Sequence, residues 1–222
     1  MEDSISLHSS PLRARRGGSR EAIVEAAEPL FMKNGFGAVS MDELADAAGV
    51  ARRTLYNQFA GKEEIFREML LRVSAQIEGA LPPGIETRGD VGEVLRLIAT
   101  EIARLHARPG YLGFFRMVVA DSRQFPWIAQ AFAAVMDPMM ERFARYLGYL
   151  TELAILYCPN PMFAAHQFTG LLNENSLWPM LMGREGALAS AEDVVEETVH
   201  MFLKRYQLPI RKHSALNARD RK

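Results

Sequence analysis

The chain has 222 residues, of which 49% are hydrophobic and 24% charged. This is enough apolar material for one large domain or two small ones, and it excludes wholesale disorder. A formal net charge of −1 excludes a surface coated in positive charge, so any nucleic-acid site must come from local placement of Arg and Lys.

Residues 1 to 18 combine Ser, Pro, Gly and Arg without helical periodicity and read as a flexible basic arm. Arg13, Arg15, Arg16 and Arg20 cluster there, with no acid between Ser4 and Ser19. A solvated tail and an arm lying near DNA both fit that pattern. The stripe Ile23, Val24, Ala27, Leu30, Phe31 then predicts a first helix, stopped at Asn34-Gly35, with Pro29 expected to kink it. Met41, Leu44, Ala45 and Ala48 mark a short second helix, capped by the pair Ser40 and Glu43 and ended by Gly49. Leu55 and Phe59 mark a third short helix, and Gly61 breaks the chain again. Ile65, Phe66, Met69, Leu70, Val73 and Ile77 predict a long fourth helix, which Leu81-Pro82-Pro83-Gly84 ends.

Helical patterns continue through the rest. They predict helices from Val91 to about Ala107, from Tyr111 to Ser122, and through Ile128 to Leu147 with a kink at Pro138. Asn160 reads as an N-cap with Pro161 at the first helical position. Met162 to Met182 and Ala191 to Tyr206 complete the set, and the polar, basic residues 207 to 222 predict a disordered tail. No stretch alternates apolar and polar residues over strand length. The expected fold is all-α with about nine helices. A three-helix head with a connecting helix fills residues 19–80, and a larger helical unit fills residues 81–206.

The segment Ser40 to Lys62 carries the functional signal. Two short helices flank Gly49-Val50 and a third precedes them, which is the layout of a helix-turn-helix. At about 100° per residue, Leu55 and Phe59 turn inward together, so Arg53 and Asn57 lie on the opposite face. Thr54 and Tyr56 flank that face, and Arg52, in the first turn, can reach out. Arg pairs bidentately with guanine and Asn with adenine, while Thr and Tyr hydroxyls suit phosphate oxygens. Ser40 and Lys62, at helix starts, are candidates for further phosphate contacts. A surface helix whose Arg residues face only water has the same periodicity.

From Glu21 to Ile65 the sequence resembles the tetracycline-repressor (TetR) family of transcriptional regulators. The residues that carry the likeness are Ala26-Ala27, Leu30-Phe31, Asn34-Gly35-Phe36, Ser40 to Ala45, Ala48-Gly49-Val50, Thr54 to Phe59 and Lys62-Glu63. The resemblance implies an all-helical, dimeric regulator with a small-molecule pocket; the expected function is a repressor that binds a palindromic double-stranded operator and is released by a small apolar effector, and the single cysteine fits a cytoplasmic location. The resemblance also implies backbone contacts for Ser40, Tyr56 and Lys62, and operator reading for Arg53 and Asn57. Ala51 departs from the pattern where relatives often carry Ser, which removes one phosphate contact, and Pro29 is also atypical. Phe114-Phe115-Arg116, Val118-Val119-Ala120, Phe125-Pro126, Gln167-Phe168 and Gly170-Leu171-Leu172 resemble the AefR-related branch.

A Met- and aromatic-rich set lies in the second half: Phe114, Phe115, Met117, Trp127, Phe132, Met136, Met139 and Met140. Such residues build cores, and in a regulator they also line apolar effector pockets. His166 and Asn173 are candidate polar contacts to the same effector. The last two helices carry more apolar surface than one core needs, and the resemblance implies that they pair with their copies in a four-helix dimer interface. No catalytic constellation, phosphate loop or close His/Cys ligand pair stands out, so no cofactor, metal or enzymatic activity is expected. Cys158 is single and reads as an inert thiol, no apolar run approaches a membrane span, and the N-terminus lacks the apolar core of a secretory signal. A DNA-binding activator or regulator without an effector fits the same residues. So does a helical enzyme or sensor with a vestigial DNA-binding segment, although Arg53, Tyr56 and Lys62 argue against it.

Overall fold

The computed structural model describes residues 20–78, 84, 89–184 and 189–209. The basic arm with Arg13, Arg15 and Arg16, the Leu81-Pro82-Pro83 boundary and residues 210–222 of the expected tail lie outside them.

Helix α1 spans Arg20–Ala38 and buries Ile23, Val24, Ala27 and Phe31. It breaks at Gly35, whose φ of 80° and ψ of 161° are open essentially to glycine alone. Pro29 does not break it: the residue is exposed, and the one non-helical position inside α1 is Gly35. Helix α2, Met41–Ala48, starts on the Ser40–Glu43 capping box and ends on Gly49 in the left-handed conformation, φ 65°. Helix α3, Arg52–Gln58, is held inward by Leu55 and is followed by Phe59 in extended backbone. Helix α4 spans Lys62–Glu78.

The larger unit contains α5 (Val91–His106), α6 (Pro109–Asp121), α7 (Pro126–Glu152), α8 (Pro161–Leu172), α9 (Trp178–Leu181) and α10 (Ala191–Tyr206). Side-chain caps start three of them: Asp90 accepts from Glu93 N, Asn160 from Phe163 N and Ser190 from Asp193 N. Helix α7 runs through Pro138 as one element. The helix expected over Met162 to Met182 is interrupted: Asn173–Leu177 forms a π-helical turn between α8 and α9. Helix α5 shows why these helices pack. Val91, Val94, Leu95, Ile98, Ile102 and Leu105 bury one stripe, against α10 and α8.

The start of the expected tail is fixed to the bundle. Leu208 N donates to Ile155 O at 3.1 Å and Tyr157 N to Tyr206 O at 2.7 Å, around an isolated antiparallel bridge between Leu156 and Gln207. Cys158 is buried beside this bridge, and burial pushes its thiol pKa up. No strand occurs among the described residues, and no described helix is long and apolar enough to cross a membrane.

The two parts meet along α1 against α6 and α4 against α7. The joint is aromatic. The Phe36 ring lies 5.8 Å from Phe31, 5.3 Å from Phe66, 5.0 Å from Phe125 and 5.1 Å from Trp127. Four of its neighbours thus come from α1, α4 and the α6–α7 junction, which makes Phe36 the hub between head and bundle.

Candidate nucleic-acid interface and regulatory core

Residue by residue, α3 divides as its period dictates. Leu55 and Phe59 are buried, while Arg53 and Asn57 are exposed on the other side. Tyr56 is 46% exposed and Thr54 half-buried. Arg52 is exposed and already engaged: its Nε lies 2.9 Å from Asp42 Oδ1 on α2, and its guanidinium 5.7 Å from the Tyr56 ring centre.

Ser40 and Lys62 are spoken for by the protein itself. The Ser40 hydroxyl accepts from Glu43 N at 3.2 Å and donates to Glu43 Oε2 at 2.8 Å. The Ser40 backbone N–H, 2.8 Å from the same Oε2, and then the hydroxyl hold the Glu43 carboxyl below the usual carboxylate range. Lys62 Nζ donates to the carbonyls of Phe36 at 2.8 Å, Gly37 at 3.1 Å and Val39 at 2.8 Å. An ammonium has three N–H donors, so all three are used. Lys62 therefore caps the carbonyl end of α1, where a cation also meets the negative end of the helix dipole. The sequence reading, which offered these donors to phosphate, had no means of seeing the carbonyls that take them.

The expected effector residues separate into groups. Phe114, Met117, Met139 and Met140 are buried, and Phe115, Phe132 and Met136 are half-buried. Phe115 and Phe132 meet edge-to-face at 5.4 Å, with Phe114 5.9 Å from Phe132 and Trp178 6.4 Å from Phe115. Trp127 belongs elsewhere: it packs on Phe36 and Phe66 and lies 4.8 Å under the Arg67 guanidinium, so it joins head to bundle. His166 is exposed on α8 and faces no core, whereas Asn173 is half-buried at the start of the π turn. One cavity, of about 390 Å³, is lined by none of these residues and lies between α5 and α10 beside Arg96, Thr100 and Val195.

Sequence reasoning missed two groups. His106 and Tyr111 extend the aromatic cluster: their rings stack at 5.9 Å, and Tyr111 lies 6.1 Å from Phe115. His106 Nδ1 lies 2.6 Å from Ser176 Oγ in the π turn, and Ser176 itself donates to Leu172 O. Its hydroxyl proton being used, Ser176 accepts from an Nδ1–H imidazole. Burial lowers the His106 pKa to about 4 and raises that of Tyr111 to about 12, so both are neutral at pH 7. Asp121, at the end of α6, is the second omission. Its Oδ2 accepts from Phe36 N at 2.7 Å. A Cβ at Gly35 would sit 3.1 Å from the same oxygen, so the bond depends on glycine there. The 85 residues between the partners leave no local sequence signal for it.

The last two long helices spend much of their apolar surface internally. Phe168, Leu172, Val194, Val195, Val199 and Phe202 are all buried within the chain. Left exposed are Phe163 at 58% on α8 and Met201 at 53% on α10, with Leu153 and Tyr157 nearby in sequence on the α7–α8 connection.

A helical head with an exposed, Arg-bearing third helix, joined to a helical bundle with an aromatic core, defines a helix-turn-helix regulator. Residues 23–69 match the bacterial regulatory proteins of the tetR family, and residues 93–208 match the AefR-like transcriptional repressor C-terminal domain. A TetR-family regulator from Pseudomonas syringae pv. tomato is 32% identical with a TM-score of 0.70, over 86% of this chain and 98% of that one. The Flavonoid-responsive Regulator FrrA is 28% identical with a TM-score of 0.72, over 87% of this chain and 98% of that one. The putative mycofactocin biosynthesis transcriptional regulator MftR of Mycobacterium tuberculosis is 37% identical over 89 residues, 40% of this chain and 44% of that protein. The chain thus spans less than half the length of that curated relative. The chain belongs to the TetR family of transcriptional regulators.

Proposed function

We propose that the chain is a homodimeric repressor that reads a two-fold symmetric operator and releases it on binding a small, largely apolar effector. The observation that carries the reading is the division of α3: Arg53 and Asn57 exposed on one side, Leu55 and Phe59 buried on the other. Such a helix presents base-reading side chains from a fixed base, with Thr54, Tyr56 and Arg52 beside them for the phosphates. The likeness of residues 93–208 to a repressor C-terminal domain supports repression over activation. Exposed Phe163 and Met201 support a dimer face on α8 and α10.

Effector binding among α5 to α8 is supported by the half-buried rings of Phe115 and Phe132, with half-buried Met136 one turn on from Phe132 and the exposed Trp178 ring against Phe115, and by the flavonoid-responsive character of FrrA. The coupling runs through the joint. An effector that shifts α6 or α7 moves Asp121, Phe125 and Trp127, all of which grip Gly35-Phe36 at the end of α1. In a dimer this changes the spacing of the two reading helices. Linkage then requires operator DNA to weaken the effector by the same factor, typically about 5–150-fold. The test is selection of a duplex from a random pool, followed by titration of an apolar compound library into the protein–duplex complex by fluorescence anisotropy. Compounds that stabilise the free protein and release the duplex support the reading. Compounds that bind the cluster and leave duplex affinity unchanged defeat the release mechanism.

A further inference from the structure

Arg20 was expected to belong to a basic arm. Instead it opens α1, and its partly exposed guanidinium bridges the end of α3 and the first half of α4. Nη1 donates to the carbonyl of Gln58, the last residue of α3. Nε lies 2.5 Å from Glu68 Oε1 and Nη2 2.5 Å from Glu64 Oε1. The guanidinium carbon lies 4.1 Å from the Phe59 ring centre. The other Glu64 oxygen accepts from Ala60 N at 2.8 Å. One cation thus holds the link between α3 and α4 at the carbonyl before it and the ring within it, and through Glu64 at an amide inside it.

Helix α3 needs such a hold. It has seven residues, and Ala51 at its start gives no side-chain cap. A helix this short has little rigidity of its own, so its direction is set by what its ends are tied to. Base reading demands that the helix be held to within about half an ångström and 10–20°. The local charge also argues against a phosphate at Arg20. One guanidinium beside two carboxylates leaves a net negative site, which repels a DNA backbone.

We propose that Arg20 is a positioning residue for operator recognition, pinning the C-terminal end of the reading helix to α4 while touching no DNA. The proposal rests on α3 being the reading helix, and Arg53→Ala tests that premise separately. The probes are the duplex selected from a random pool and a scrambled duplex of equal length, each titrated by anisotropy over a range of salt concentrations. Arg20→Ala is expected to weaken the selected duplex roughly tenfold, the scale of losing charge-assisted hydrogen bonds. Scrambled-duplex affinity and the salt slope should stay unchanged. Arg20→Lys should behave like Arg20→Ala, because the donors of an ammonium radiate from one nitrogen and lack the planar guanidinium spread that reaches Gln58, Glu64 and Glu68 from separate nitrogens. Simple loss of folded protein lowers both affinities together, so the ratio between duplexes isolates positioning. If Arg20→Ala fails to fold, Arg20→Lys and Glu68→Gln decide: each should lower the ratio.

The proposal is overturned if Arg20→Ala weakens both duplexes equally and flattens the salt slope by about 0.9 per lost phosphate contact. It is equally overturned if Arg20→Lys retains full preference, or if Glu68→Gln tightens both duplexes, as removal of a negative charge from a DNA-facing site would. If Arg53→Ala leaves sequence preference intact, the reading-helix premise fails. If Arg53→Ala erases preference while Arg20→Ala and Arg20→Lys keep it, only the role of Arg20 fails.

Discussion

Replacing Lys62 by Met keeps the aliphatic stem and removes the ammonium. In the structure that ammonium satisfies the carbonyls of Phe36, Gly37 and Val39 at 2.8, 3.1 and 2.8 Å. A hydrogen bond to a charged group contributes about 1.5–3 kcal/mol when dry. Gly37 is exposed and Lys62 half-buried, so water replaces part of the loss. A net cost of about 2 kcal/mol is the reasonable sum for a site open to solvent. For a chain of this size each kcal/mol moves Tm by about 2–4 °C, so Lys62→Met should melt roughly 4–8 °C lower. Differential scanning calorimetry measures this. Operator affinity should fall because the α1–α2 turn loosens, and the slope of log K against log salt should stay as in the parent protein. An unchanged Tm with a slope shallower by about 0.9 per lost phosphate contact would refute the capping role and restore Lys62 as a phosphate contact.

Asp121→Ala leaves Phe36 N–H without its acceptor and should cost about 1–3 kcal/mol in chemical unfolding; effector release of the operator should weaken with it, since α6 loses its hold on the head. Burial keeps the folded His106 pKa at about 4, below its unfolded value near 6.5, so the unfolded state binds more protons in that window. Stability should be complete above pH 6.5 and fall as pH drops toward 4, by at most about 1.4 kcal/mol per unit, and urea midpoints for His106→Asn should flatten over this range. Arg53→Ala should relax base preference and cost about 1–3 kcal/mol on the preferred duplex alone; equal loss on all duplexes would show the wrong face was assigned. Met136→Trp should fill the half-buried cluster and either mimic or block the effector, read as a shifted release curve.

Much of the head was legible because its signals are local. The Ser40–Glu43 spacing, Gly49 and the Leu55–Phe59 period each act within a few residues, and the helices appear where they dictate. What stayed hidden depends on contacts between distant segments. Periodicity marked Lys62 as a polar helix start but carried no trace of the three carbonyls about 25 residues earlier that accept its hydrogen bonds. An aromatic side chain suits an effector wall and a domain joint equally, so Trp127 was assigned to the wrong surface. Pro29 and Pro138 were expected to kink their helices; both are exposed, where the carbonyl deprived of its donor can meet water. The π turn at Asn173–Leu177 carries no local sequence signal, and its Ser176 is engaged by His106, 70 residues away.

Hydroxyl-radical footprinting of the selected duplex, with sedimentation of the complex, tests whether a symmetric dimer sits on a symmetric operator. Two protein copies per duplex are expected, with two equivalent protected half-sites centred about one helical turn, ~34 Å, apart, or a multiple of it. Arg53→Ala should lose preference in both halves alike. A single copy protecting one asymmetric half-site would contradict the symmetric dimer.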